Sequence, residues 1–439
     1  KVGELEATQF STTTKLKGIA TFVLGANAFS GSNALVSQQQ ANLGATTFNY
    51  DLRLNFDTSF TGKDLLRTTL RAGNFGGTYP AAVGTGLSTM ETAFEQPAGD
   101  NIIGVNRLFY NFPMGSELSL AAGPMVRVDD AGMLGLWPSV YPADTCLLYT
   151  SPSPAPGAYN LAGLGAGAGF VYSPKGIKGL TISQNYVSAN GGAYANGSTG
   201  NAGSGNPSVG GVWTNGAGSA AVTQVGYAGN KTPWIGGSYA LAFAYTYSQN
   251  LPLPVGTPMA LAVSDWNQGT SGYSSGNNYG LSGYWKPEKA GLIPSISWGF
   301  GGGSYNLGAY GLTNNSSSVK GITTASWYTG LQWDDAFIKG NALGMGVGQA
   351  PFVTQVGSAA AGTPRAQLAA SGLANGAFDS NYSWEWWYKF QVTDNISITP
   401  AIYYITNYQG QFGYVNTATG GQAAQNNLFG GLLKTTFKF

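Results

Sequence analysis

Apolar and polar residues alternate with period two along most of this chain. From residue 47 to residue 57, Phe48, Tyr50, Leu52, Leu54 and Phe56 interleave with Asn49, Asp51, Arg53, Asn55 and Asp57. An extended strand sends successive side chains to opposite faces, so such a segment has one greasy and one wet side, and no helical period fits it. About ten residues is also the length that a tilted strand needs to cross the hydrocarbon core of a membrane. Segment 238–248 repeats the pattern with Tyr239, Leu241, Phe243, Tyr245 and Tyr247 set against Ser238, Ala240, Ala242, Ala244 and Thr246. The last twelve residues, 428–439, place Phe429, Leu433, Phe437 and Phe439 on one side and Lys434, Thr436 and Lys438 on the other.

Sixteen segments of this kind are legible: 15–29, 47–57, 65–73, 102–112, 117–126, 163–172, 179–188, 219–228, 238–248, 277–285, 293–300, 321–333, 337–350, 380–392, 395–406 and 428–439. Their connections alternate between short links, such as 57–64, 113–116 and 393–394, and long ones, such as 74–101, 127–162, 189–218 and 351–379. Short turns on one rim and long loops on the other are the arrangement of an outer-membrane barrel, with both termini in the periplasm. The expected fold is therefore all-β, a transmembrane antiparallel β-barrel of 16 strands with short periplasmic turns and long extracellular loops. A barrel must pair its last strand with its first to remove both edges, and a carboxy-terminal Phe is the usual assembly mark of such proteins, which makes Phe439 the expected assembly signal.

Composition narrows the reading further. Charged residues are only 9% of the 439, while Gly (67) and aromatic residues (13%) are plentiful; an ordinary soluble domain carries roughly 25% charge. Mean hydropathy is nonetheless near zero, at −0.05, and no apolar run approaches the roughly 18 to 20 residues of a membrane helix. A net charge of +1 with no basic cluster argues against nucleic acid as a partner. There is no histidine, which removes the commonest general base and metal ligand, and the single Cys146 makes no internal disulfide. No cofactor, metal site or enzymatic activity is expected. A barrel-embedded hydrolase would need Ser-Lys or paired-carboxylate chemistry, for which no spacing stands out.

Charges on strands should face the lumen, because Lys or Arg facing lipid at mid-membrane costs roughly 2 to 4 kcal/mol. The candidates are Lys17, Asp51, Arg53, Arg67, Arg71, Arg107, Lys339, Glu385 and Lys389. Arg67 and Arg71 share a face, and Arg53 and Arg107 on flanking strands extend them into a cationic wall. Such a wall either favours anions and polar neutral solutes or is neutralised by Asp51, Glu385 and loop acids. The third long loop, 127–162, is the candidate constriction and opens with Arg127, Asp129 and Asp130. Opposed charges across a narrow water path would filter solutes by charge and dipole. Trp384, Trp386, Tyr388 and Phe390 fit an interfacial girdle, with Trp387 on the lumen set.

Four stretches resemble bacterial carbohydrate-selective (OprB-type) porins, in particular the cyanobacterial branch described as iron-uptake porins. They are Leu5-Glu-Ala-Thr-Gln-Phe-Ser-Thr-Thr-Thr-Lys-Leu-Lys-Gly18, Asn106-Arg-Leu-Phe-Tyr-Asn-Phe-Pro-Met-Gly115, Asn341-Ala-Leu-Gly-Met-Gly-Val-Gly-Gln-Ala-Pro351 and Gln391-Val-Thr-Asp-Asn-Ile-Ser-Ile-Thr-Pro-Ala401. The resemblance implies a homotrimer in the outer-membrane lipid, passing small hydrophilic solutes and inorganic ions, iron among them, down their gradients. It also implies that residues 1–14 are a periplasmic segment ending a coiled-coil linker. An S-layer-homology domain that binds a peptidoglycan-linked polymer would precede them, and the barrel would occupy 15–439. Residues 143–156, with Cys146 and a Pro-Ser tract, depart from the family pattern. The competing expectation is a structural anchor or adhesin, with a plugged barrel and long Gly-, Asn- and Ser-rich loops that do the contacting.

Overall fold

The computed structural model describes residues 13–31, 34–75, 87, 90–93, 99–141, 156–159, 163–192, 210–232, 235–251, 253, 255–257, 260, 275–306, 321–356, 381–408 and 426–439. The expected linker, apart from its last two residues, lies outside them, as do 142–155 with Cys146.

Sixteen antiparallel strands close into one barrel in sequence order. They are β1 (Thr13–Gly31), β2 (Thr47–Ser59), β3 (Leu65–Gly73), β4 (Gly104–Met114), β5 (Leu118–Arg127), β6 (Leu164–Tyr172), β7 (Leu180–Ser188), β8 (Ser219–Gly229), β9 (Ser238–Gln249), β10 (Ser275–Lys286), β11 (Ser295–Asn306), β12 (Gly321–Asp334), β13 (Ala342–Val356), β14 (Ser383–Thr393), β15 (Ile396–Ile405) and β16 (Asn426–Lys438). The alternation seen in the sequence is the inside-outside alternation of the wall. Phe22, Leu24, Phe48, Phe243, Phe300, Trp384, Trp386 and Phe429 stand on the outer face, while Thr21, Asn49, Asp51, Thr246 and Glu385 are buried within. A wet inside and an apolar outside are what a barrel in lipid requires.

The seam is the pairing of β1 with β16, in register from Ile19 opposite Lys438 to Gly31 opposite Asn426. It is finished by Phe439. The Gly18 amide donates to the Phe439 carbonyl at 2.6 Å, and the Phe439 amide donates back to the Gly18 carbonyl at 3.0 Å. A Cβ on residue 18 would overlap the Phe439 ring, so the glycine is what lets the terminal aromatic lie flat on the first strand.

Three local expectations change. β13 begins at Ala342, and residues 335–341 form a turn in which Phe337 and Ile338 stand exposed. Lys339 therefore sits on the exposed short-turn rim and does not line the pore. β11 runs from Ser295 to Asn306, further into the expected long loop than its alternation suggested. The first long loop contains a helix, α1 (Ala34–Leu43), tied to the seam by the Phe29 amide donating to Gln40 Oε1 and Asn426 Nδ2 donating to Gln39 Oε1, both at 2.9 Å.

On the short-turn rim, the link between β2 and β3 is organised by Asp64. Its carboxylate accepts from Ser59 Oγ (2.8 Å), the Thr61 amide (2.8 Å), Thr61 Oγ1 (2.7 Å) and Tyr110 Oη (2.7 Å). Loss of solvation pushes this carboxyl up, but those donors together outweigh it and hold Asp64 well below the usual carboxylate range.

Candidate functional site

The inner face of β2, β3 and β4 carries a ladder of charge. Register sets Arg53 opposite Arg71, Asn55 opposite Thr69 and Asp57 opposite Arg67, with Arg107 across from Thr69 on the next strand. The structure thus brings the expected cations together. It also pairs them. Asp51 accepts from Arg53 Nε and from Arg71 Nε, each at 2.7 Å, and Arg71 Nη2 donates to the Thr92 carbonyl of the second long loop at 2.9 Å. Asp57 takes Arg67 in a two-point contact of 2.8 and 2.9 Å and Lys17 at 3.1 Å. Arg107 Nε meets Asp130 at 2.8 Å. Among the described residues, five cations thus share three carboxylates on this wall. Arg53, Arg67 and Lys17 keep part of their side chains accessible, at 25, 29 and 62%.

The third long loop folds inward. After β5, residues 127–141 cross the barrel interior, resting on one wall strand after another. Asn185 of β7 donates to the Val128 and Met133 carbonyls, both at 2.9 Å. Gln224 of β8 receives the Leu136 amide at 3.1 Å and donates to the Leu136 carbonyl at 2.9 Å and to Tyr159 Oη at 3.0 Å. Ser297 of β11 accepts from the Val140 amide at 2.9 Å, and Tyr141 Oη donates to the Met345 carbonyl of β13 at 3.1 Å. Further along the loop, the short helix α2 (Pro156–Tyr159) is held by Thr246 of β9, whose hydroxyl donates to the Ala158 carbonyl at 2.6 Å. A chain inside a barrel has little water to satisfy its amides and carbonyls, so the wall side chains must do it. At the far end Tyr141 packs edge-on against Trp387, ring centroids 5.4 Å apart, within an apolar cluster that includes Tyr328, Tyr403 and Leu428.

The remaining candidates divide. Glu385 lies on the inner face, fully buried, opposite Gly346 and Tyr403. Lys389 is half-buried near the short-turn mouth, and Trp387 is on the lumen side as its parity indicated. Arg127 pairs with Asp129 at 3.0 Å and its amide donates to Asp130 at 2.7 Å, so the acids that open the loop touch their cations directly. Asp57 belongs with this wall, and Lys434 lies two strands away on the inner face of β16; in the sequence pattern Asp57 is only the end of an alternating segment and Lys434 only part of the terminal strand. Asn185, Gln224, Thr246 and Ser297 carry no signal that separates them from any other polar lumen position.

Comparison with known proteins agrees with this geometry. Residues 148–439 match the family model described as "Carbohydrate-selective porin, OprB family". The chain belongs to that family. An uncharacterized protein of Synechocystis sp. is 28% identical over 421 residues, covering 92% of this chain and 67% of that one. Another, of Nostoc sp., is 28% identical over 469 residues, covering all of this chain and 68% of that one. The chain thus spans about two thirds of the length of these relatives. The fold is shared with OprB of Pseudomonas putida (TM-score 0.55, 12% identity, 100% of this chain and 96% of that one). It is shared also with OmpF of Salmonella typhi, solved with daunomycin (TM-score 0.50, 10% identity, 98% of each chain). This OprB-family chain is an outer-membrane porin, and its barrel crosses the membrane with strands.

Proposed function

We propose that this porin passes small hydrophilic solutes and inorganic ions by passive diffusion, as one channel of a homotrimer, and that it favours anions and neutral solutes over cations. The observation that carries this reading is the basic inner face of β2 to β4, where Arg53, Arg67, Arg71 and Arg107 gather and where, among the described residues, five cations meet three carboxylates. Fixed charge in a narrow aqueous path sets the sign of the preferred ion. Carbohydrates fit the same path, since ladders of Arg, Asp, Asn and Thr offer hydroxyl groups both donors and acceptors. Iron belongs here only as one more small solute. A positive wall repels bare ferrous or ferric ions, so the form that suits it is a neutral or anionic chelate.

Swelling of liposomes containing the protein, measured with sugars of graded size, tests the reading. The expected rates fall smoothly with solute size and rise linearly with concentration. Rates equal to those of protein-free liposomes would overturn it, and saturation by one sugar alone would replace diffusion with a dedicated binding pathway.

A further inference from the structure

The charges on this barrel are segregated by arc. The eight consecutive strands β6 to β13 carry only Lys286 and Asp334, which pair with each other at 2.8 Å on the short-turn rim. This arc seats the third loop, and the seat is built of neutral amide and hydroxyl groups because a charge covered there would lose its water without gaining a partner. Every other strand charge falls on the arc that runs from β14 through the seam to β5. On that arc the basic character continues past the arginine wall. β16 sets Lys434, Thr436 and Lys438 on the inner face, opposite Val23, Thr21 and Ile19 of β1, and Lys389 of β14 comes in from the other side.

Where β14 and β16 end and β15 begins there is a cavity of about 190 Å³, open to the short-turn mouth. Lys389 and Lys438 line it together with the neutral groups Gln391, Asn395, Ser397 and Thr436, and with one carboxylate, Asp394. The backbone is fixed there, because the Lys438 amide donates to the Asn395 carbonyl at 2.8 Å and Ser397 stands opposite Thr436 in register. At about 30 Å³ per water, the volume holds roughly six waters, or one small oxyanion that keeps part of its hydration.

We propose that this cavity is a binding site for a small tetrahedral oxyanion, of the inorganic phosphate class, at the short-turn mouth of the pore. Two ammonium groups against one carboxylate favour an anion over a cation. Amide and hydroxyl donors on several sides suit an ion with several acceptor oxygens better than a spherical chloride. No aromatic face lines the cavity, so it offers a sugar ring nothing to stack on. The site rests on the pore reading above and adds to it a second station, where anions that have passed the arginine wall pause on the periplasmic side.

Isothermal titration of the full chain in detergent with inorganic phosphate, in a chloride buffer, tests the site whether or not the pore conducts. Lys389→Gln with Lys438→Gln should weaken binding about fivefold or more, as two partly exposed charge contacts would. Asp394→Asn should tighten it about threefold, a gain that misfolding cannot imitate. Lys286→Gln, which alters a rim cation outside the cavity, should leave it unchanged. No binding by the unaltered chain, or equal weakening by Lys286→Gln and by the double variant, would overturn the site. Phosphate binding by a protein that conducts nothing would keep the site and sink the pore reading, and conduction without phosphate binding would do the reverse.

Discussion

Replacing Gln224 with Leu should loosen the inward-folded third loop without loosening the barrel. The Gln224 side chain is 1% exposed and makes three hydrogen bonds to the inward loop, two of them a clasp on the amide and carbonyl of Leu136 and one to Tyr159. Each is worth about 1 kcal/mol net, and leaving the two buried backbone groups of Leu136 unsatisfied adds about 1 to 3 kcal/mol. The seated loop should therefore lose about 4 to 6 kcal/mol, partly offset by the added apolar contact of the leucine. At about 1.4 kcal/mol per factor of ten, the unseated population rises by at least a hundredfold. The strand ladders do not involve this side chain, so the barrel should keep its heat-resistant mobility on gels. Single-channel recording reads the loop directly. The expected result is a larger or flickering open-state current, with faster thermolysin cleavage within 127–141. Currents as quiet as those of the unaltered protein, with unchanged cleavage, would refute the view that wall side chains hold the loop.

Other substitutions probe the seam, the wall and the rim. Gly18→Ala puts a Cβ into the Phe439 ring, so it should slow assembly into the heat-resistant form, and Gly18→Ala in a chain that also lacks the Phe439 ring (Phe439→Ala) should be less affected by the added methyl. Asp51→Asn removes the charge that Arg71 Nε meets at 2.7 Å within the wall; breaking a buried pair costs up to about 3 to 5 kcal/mol, and the unfolding midpoint should drop while selectivity moves further toward anions. Asp64 has its native carboxyl depressed, so the folded form binds fewer protons than the unfolded one. Its contribution is complete above the ordinary Asp range of about 4 and is lost as pH falls below it; acid melts should show the unaltered protein losing stability in that range and Asp64→Asn losing less.

The barrel was legible where both faces were chemically pure. From Thr47 to Asp57, β2 is apolar on one side and polar on the other, so parity alone fixed which of its residues point inward. β13 is different. Its run Ala342-Leu-Gly-Met-Gly-Val-Gly has glycine where a polar set would show, and the exposed Phe337 and Ile338 before it carry the hydrophobicity of a strand. That displaced the expected start of the strand and put Lys339 in the lumen set. The arginine wall could be read because lipid forbids those charges the other face. Its carboxylate bridges could not be, since which acid meets which base depends on register. The hydrogen-bonding seat of the third loop was equally hidden, because Asn185, Gln224, Thr246 and Ser297 look like any residue that wets a lumen.

The most direct test of the central claim is the reversal potential of the purified protein in a planar bilayer across a KCl gradient. A water-filled trimeric pore beside the arginine wall, as proposed, predicts ohmic steps, grouped in threes, and a potential displaced toward that of chloride. A displacement toward potassium, or silence from protein shown to be folded and inserted, would contradict it.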